Sequence, residues 1–287
     1  MNFLDRNEFN FQPSEKVIKA IKDFDPETLC FYTRIYDEGK KSVVTVRLSE
    51  IYNVPEEQVL IGYGGEEILK NAIHYYLMEG ENKTILIPEF SWWYYNRVAG
   101  ECGGSFEMYP LYETGDTFAY NIDEVIEYTN RVHPRMLLLA SPNNPTGNSL
   151  TSAEIGRIME NIPSDTMVFV DEAYASFITT DTDYIAPLVM KYNNLIIART
   201  LSSSTDFRGC VWDSDLWVPV TKCSSAIQTN TSAITVSQNL LHLPLLRVTS
   251  TTERLPTKWS GIDNFSRRSL EISLASRSTR VQQTLFS

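Results

Sequence analysis

Between residues 50 and 202 the apolar positions fall into two alternating patterns, helical stripes and short unbroken runs. Glu66 to Leu77, directly after G-Y-G-G, carries apolar residues at helical spacing, and Ile122 to Arg131 and Ser152 to Asn161 read as further helices. Asn121 stands where an N-cap belongs, and Ser152 and Ile155 flank a second helix start. Another helix is expected from Ser91 onward, after an aromatic turn. Between the stripes lie Thr84 to Pro88, Ser105 to Tyr109, Met136 to Ala140, Met167 to Val170 and Leu195 to Ala198, all of strand length. Unbroken apolar strands separated by helices predict an α/β fold with a mostly parallel sheet covered on both faces. Right-handed crossovers then gather the loops at the strands' C-terminal ends along one sheet edge, where a ligand would sit.

After Ser203 that alternation stops. The remaining residues are Ser/Thr-rich, with one apolar patch, Leu240 to Leu246, broken by Pro244. Composition breaks at the same point: all fifteen tyrosines precede Ser203, whereas 26 of the last 85 residues are Ser or Thr. Charge breaks there too. Residues 1–202 hold sixteen basic and thirty acidic residues, residues 203–287 nine and six, within a total of −11. The chain therefore divides into an N-terminal arm (1–49), an incomplete large domain (50–202) and an atypical, poorly structured tail (203–287). The acidic balance argues against nucleic acid and anionic membranes as partners. No apolar run approaches the roughly 18 residues of a membrane helix, and M-N-F-L-D-R-N-E lacks a signal peptide's pattern, so a cytoplasmic protein is expected. Four cysteines without a C-x-x-C pair and three scattered histidines point to free thiols and no metal site.

Candidate chemistry concentrates in three motifs: S-P-N-N-P-T-G (Ser141 to Gly147), D-E-A-Y (Asp171 to Tyr174) and A-R-T-L-S-S-S (Ala198 to Ser204). Taken singly, an aspartate at a strand end can be a turn or cap residue, a tyrosine a packed aromatic, and S-P-N-N-P an ordinary turn. Together, on these elements, they resemble the fold type I aminotransferases that use pyridoxal 5'-phosphate (PLP), and within them the histidinol-phosphate aminotransferase branch. The resemblance covers residues 1–202 and implies that fold's large domain, with its small domain missing or replaced. It also implies transfer of an amino group between an amino acid, or a histidinol-phosphate-like amine, and a 2-oxo acid. The related threonine-phosphate decarboxylases are a second possibility, and a non-catalytic, lysine-free binding or regulatory homologue a third.

By the same resemblance, Asp171 would hold the protonated pyridine nitrogen, while Tyr174 and Asn144 would donate to the ring oxygen. Gly64, Gly65 and Glu66 match the family's G-x-x-E at a helix N-terminus that cradles the phosphate, and Thr200 and Ser202 match its phosphate-binding hydroxyls. Phe90, in P-E-F-S-W-W-Y, matches the aromatic that stacks on the ring. Tyr36, in R-I-Y-D, resembles the tyrosine that reaches the phosphate of a partner subunit and so implies a homodimer. Asn7 and Glu8 resemble the family's N-E-N segment near the substrate.

The family's third motif reads T-x-S-K, and its lysine forms the Schiff base with the cofactor. Here that position is Ser203. A serine can neither make that bond nor shuttle the proton. Lys222 and Lys258 lack the T-x-S context and are not substitutes. Rereading the codons from the third base of Ser203 permits K-[HY]-G-[FL]-[SP]-G-[LVM]-R-[LVM]-G, whereas family members read S-K-x-x-G-L-P-G-L-R-V-G. Residues 203–287 are therefore expected to be an out-of-frame translation.

Overall fold

The computed structural model describes residues 15–25, 27, 43–78, 80–178, 185–200 and, for the backbone alone, 214–218. Tyr36, Asn7, Glu8, Ser202, Ser203, Lys222, Lys258 and the patch from Leu240 to Leu246 lie outside the described residues.

Helices α1 (Glu15–Lys22) and α2 (Val43–Tyr52) lead into β1 (Leu60–Tyr63), α3 (Gly64–Met78), β2 (Thr84–Pro88), α4 (Tyr94–Glu101) and β3 (Ser105–Tyr109). A hairpin of β4 (Leu111–Thr114) and β5 (Thr117–Tyr120) comes next, then α5 (Ile122–Val132), β6 (Met136–Ala140), α6 (Ser152–Asn161), β7 (Met167–Asp171), β8 (Leu195–Thr200) and β9 (Ser214–Val218). Seven strands form one sheet in the order β1-β9-β8-β7-β6-β2-β3. The run from β8 to β3 is parallel throughout, and β9 is antiparallel to both β8 and β1. The expected mostly parallel sheet is thus present. Five residues of the tail, Ser214–Val218, pair within it, which the Ser/Thr-rich text did not announce.

The central strands are buried along their whole length, as their unbroken apolar sequences require: every residue of β6 and β8 is buried, and β7 opens only at Asp171. Side-chain alternation sorts them into two cores. Leu137, Leu139, Val168, Val170 and Ile197 meet α2, α5 and α6 through Leu48, Val125, Ile155 and Ile158. Leu138, Ala140, Phe169 and Ala198 meet α3 and α4 through Leu69, Ile73, Tyr95 and Val98. Val44, Leu48 and Tyr52 belong to the first core, so α2 carries the chain across the residue 49 boundary without a break in packing.

Two helix starts differ from expectation. Asn121 occupies the N-cap position of α5, but its side chain donates to Glu124 Oε1 (3.0 Å) and caps nothing. At α6 the cap is Thr151, one residue before Ser152, in a capping box whose Thr151 Oγ1 accepts from Glu154 N (3.2 Å) while Glu154 Oε2 accepts from Thr151 N (2.7 Å).

Candidate active site

Because β1, β2, β6, β7 and β8 run in the same direction, the residues just beyond them emerge at one sheet edge. That edge receives Gly64 and Gly65 after β1, Phe90 after β2, S-P-N-N-P-T-G after β6, Asp171 at the end of β7 and Thr200 at the end of β8.

Asp171 lies level with Ala140 on β6 and Ala198 on β8, and so shares their face, the one covered by α3 and α4. Both of these neighbours are alanines and bring no bulky side chain against the carboxylate. Its Oδ2 accepts from the Tyr95 hydroxyl (2.8 Å) and its Oδ1 from Ala173 N–H (3.1 Å). Burial pushes the Asp171 carboxyl above its ordinary value, and these two donors pull against it. Among the described residues no cationic side chain pairs with it. A part-buried carboxylate held by two neutral donors retains lone pairs and charge for a cationic N–H.

The loop after β6 is tied down by its own polar groups. Ser141 N–H donates to the Asp171 carbonyl (2.9 Å), and Ser141 Oγ accepts from Leu150 N–H (2.8 Å). Asn143 is buried, donating through Nδ2 to the Phe90 carbonyl (2.9 Å) and to Thr146 Oγ1 (2.6 Å) while its Oδ1 accepts from Ser91 Oγ (2.7 Å). Asn143 therefore builds the loop. Asn144, beside it, is partly exposed and has no side-chain hydrogen bond among the described residues, which leaves its amide for a ligand. Tyr174 is also partly exposed, its ring 6.1 Å from that of Phe177 at the start of a short helical turn. Thr200 is buried at the end of β8, opposite Asp215 of β9.

At the start of α3 the chain turns through Gly64 at φ +83°, a conformation that a side chain would strain, and the helix opens with Gly64, Gly65 and Glu66. Its first N–H groups lack partners within the helix, as at any helix start. Glu66 bonds the Tyr94 hydroxyl, joining this turn to α4; burial first, and Glu66 second, push the Tyr94 phenol up to about 12.

Phe90 lies just beyond β2, at this same edge. At φ +29° the chain turns its ring onto Phe118 (5.7 Å between centroids), against the core beneath α5 and α6. The aromatic beside Tyr95 on the Asp171 side is Trp92, with ring centroids 5.7 Å apart. Gly64, Gly65, Glu66, Asn144, Asp171, Tyr174 and Thr200 all reach the common edge or the turns that leave it.

Sequence reasoning missed two partners of this edge. Tyr95 shares the buried face of α4 with Tyr94, Val98 and Ala99, and nothing in the sequence separates its hydroxyl from that of Tyr94. The other is an ion pair behind the site. Arg199 Nε donates to Glu172 Oε2 (2.6 Å), with side chains 10% and 0% exposed, and the guanidinium lies 4.7 Å from the Tyr52 ring centroid. Strand alternation puts this pair on the face opposite Asp171.

Comparison with known proteins identifies the family. Residues 2–210 match the family described as aminotransferase class I and II. The histidinol-phosphate aminotransferase of Ruminiclostridium cellulolyticum is 29% identical over 209 residues, which is 72% of this chain and 55% of that enzyme. The same enzyme of Symbiobacterium thermophilum is 33% identical over 199 residues, 69% of this chain and 52% of its own length. The chain thus spans about half the length of these curated relatives. Among solved structures, histidinol-phosphate aminotransferase from Sinorhizobium meliloti, in complex with pyridoxal-5'-phosphate, superposes with a TM-score of 0.69 at 16% identity, over 86% of this chain and 63% of that one. With the family matched across more than two thirds of this chain and a similar fold in the solved structure, the chain is a member of the class I and II aminotransferases.

Proposed function

We propose that the edge formed by Asp171, Asn144, Tyr174, Thr200 and the Gly64–Gly65 turn is a PLP pocket, serving amino-group transfer between an amino acid, or a histidinol-phosphate-like amine, and a 2-oxo acid. The observation that carries this reading is the Asp171 carboxylate, part-buried, unpaired with any described cation and held by two neutral donors. A protonated pyridine nitrogen supplies the missing positive charge, and the donor set fits it. The N-terminal end of α3, opened by Gly64 at φ +83°, fits the phosphate.

When bound, PLP supplies an electron sink for the bond that breaks at the substrate's α-carbon. The protein's part is positional and electrostatic. Asp171 keeps the ring nitrogen protonated. Asn144 and Tyr174 offer donors to the ring oxygen. The Thr200 hydroxyl and the first N–H groups of α3 take the phosphate. In this chain Ser203 stands where the family has its cofactor-bearing lysine. No residue there can attach the cofactor or carry the proton to and from the α-carbon. The chain as it stands accordingly holds PLP without a covalent bond and does not turn over. Residues 203–287, by this reading, come from a shifted frame, and the frame-restored gene places a lysine directly after Ser202.

The test is PLP binding to the full chain, followed by absorbance and fluorescence, in parallel with the Asp171→Ala variant. The reading expects saturable binding that Asp171→Ala weakens at least tenfold and that borohydride does not fix. Absence of binding by the unaltered chain, or equal binding by Asp171→Ala, overturns the pocket. A borohydride-fixed adduct overturns the account of Ser203.

A further inference from the structure

Helix α4 buries Tyr94, Tyr95, Val98 and Ala99 on the face it turns to the sheet. Tyr95 is 3% exposed, so its hydroxyl must find a partner inside the protein. It finds Asp171 Oδ2 at 2.8 Å, across 76 residues of chain. The other carboxylate oxygen is held by the Ala173 N–H, from the turn just beyond β7. The two donors fix the carboxylate from the α4 side and from its own backbone, and the alanines at 140 and 198 add nothing that would tilt it.

We propose that Tyr95 is a positioning residue for Asp171: its phenol hydroxyl, delivered by α4, clamps one carboxylate oxygen so that the group stays ionised and correctly turned toward a cationic ring N–H. This deepens, and rests on, the assignment of the edge as a PLP pocket. A phenol suits the task because it donates without bringing charge. A lysine or arginine there would neutralise the carboxylate and compete with the pyridine nitrogen.

The electrostatic surroundings support a donor role. Burial raises the Asp171 carboxyl, and the Tyr95 hydroxyl is the main group lowering it, ahead of the Ala173 N–H. Burial and Asp171 together hold the Tyr95 phenol well above its ordinary range, so Tyr95 remains a donor at every accessible pH. From β5, Tyr120 also lies near Asp171, but its hydroxyl is committed to the Ala140 carbonyl. Tyr109 of β3, which adds to the rise at Tyr95, donates to the Leu138 carbonyl (2.9 Å). Glu172, just after β7, and Arg199 of β8 face away and pair with each other. Among the described side chains, Tyr95 is the one that most opposes the effect of burial on Asp171.

The test has one arm without cofactor and one with it, both on the full chain. In the first, the carboxyl stretch of Asp171 is followed by infrared difference against Asp171→Asn as pH is varied. Tyr95→Phe removes only the hydroxyl and should raise the Asp171 midpoint by about one unit, the tenfold effect of losing one charge-assisted hydrogen bond. Incorporating 3-fluorotyrosine at position 95, which keeps the shape and strengthens the donor, should lower it, and this decides the matter if Tyr95→Phe does not fold. In the second arm PLP affinity is measured against pH. Since the carboxylate form is the one that binds, the acid limb should move upward in Tyr95→Phe, with affinity reduced about tenfold along that limb and the loss shrinking as pH rises above it. A midpoint unmoved by either substitution overturns the inference, as does unchanged PLP affinity in Tyr95→Phe at every pH. Failure of the unaltered chain to bind PLP overturns the pocket itself, and the role of Tyr95 within it.

Discussion

Removing one member of the Glu172–Arg199 pair should cost this protein more than removing both. Glu172 is fully buried and Arg199 nearly so, at 0% and 10% exposure, with Nε and Oε2 2.6 Å apart. Glu172→Leu keeps the volume but leaves a buried guanidinium without this counter-charge, resting against the Tyr52 ring. Arg199→Met strands a fully buried carboxylate. Breaking buried pairs in this way costs about 3–5 kcal/mol, whereas replacing both members with apolar residues of similar volume is often neutral or stabilising. We expect each single substitution to fall in that range, Arg199→Met at the upper end, and Glu172→Leu/Arg199→Met to cost less than either. Against a typical domain stability of about 5–15 kcal/mol, the singles should still give measurable transitions at low temperature. Urea melts followed by tryptophan fluorescence give the four free energies of the cycle. Single variants within about 1 kcal/mol of the unaltered chain, or a double variant that costs the sum of the singles, would refute the reasoning.

Burial raises the folded-state pKa of Asp171, so its contribution favours folding below the ordinary carboxylate range and is lost as pH rises through the raised value. Asp171→Asn should therefore melt higher than the unaltered chain at pH 7–8, by about 1.4 kcal/mol for each unit of the rise, and lose that advantage toward pH 3, as thermal melts across pH would register. Gly64→Ala must hold a Cβ at φ +83°, and a loss of about 1–2 kcal/mol in the same melts is expected, together with weaker PLP binding. Thr151→Ala removes the side-chain half of the capping box on α6 and should cost about 1 kcal/mol, with no effect on PLP affinity.

The parallel core of the sheet was legible because each of its strands is apolar along its length and leads into a motif or a helix with a periodic face. β1 and β9 were not. Leu60–Tyr63 is four residues with a glycine inside, and Ser214–Val218 opens with two polar residues in Ser/Thr-rich text. β1 is held in the sheet through β9, and β9 through β8 and β1 together, and nothing local signals a pairing of Leu60 with Trp217. The β4–β5 hairpin does carry a local signal, T-G-D-T with Gly115 at φ +63°, but a four-residue turn between short, half-polar strands stands out little from loop text. At the site, residues that touch a ligand sit in motifs, whereas their supports come from distant elements. Asp171 is visible in D-E-A-Y; its clamp, Tyr95, is indistinguishable in sequence from its neighbour Tyr94, and only the angle of α4 on the sheet separates their roles.

The antiparallel strand β9 has a consequence for how this protein is made. Among the described residues β1 has one neighbour in the sheet, and that neighbour begins at residue 214. While the ribosome is still translating residues 64–213, Leu60–Tyr63 waits without a mate and β8 presents an open flank from the moment it appears. Any message cut short in that interval yields a chain with two sticky borders where the finished one has a sealed seam, and such fragments should clump rather than accumulate as soluble intermediates.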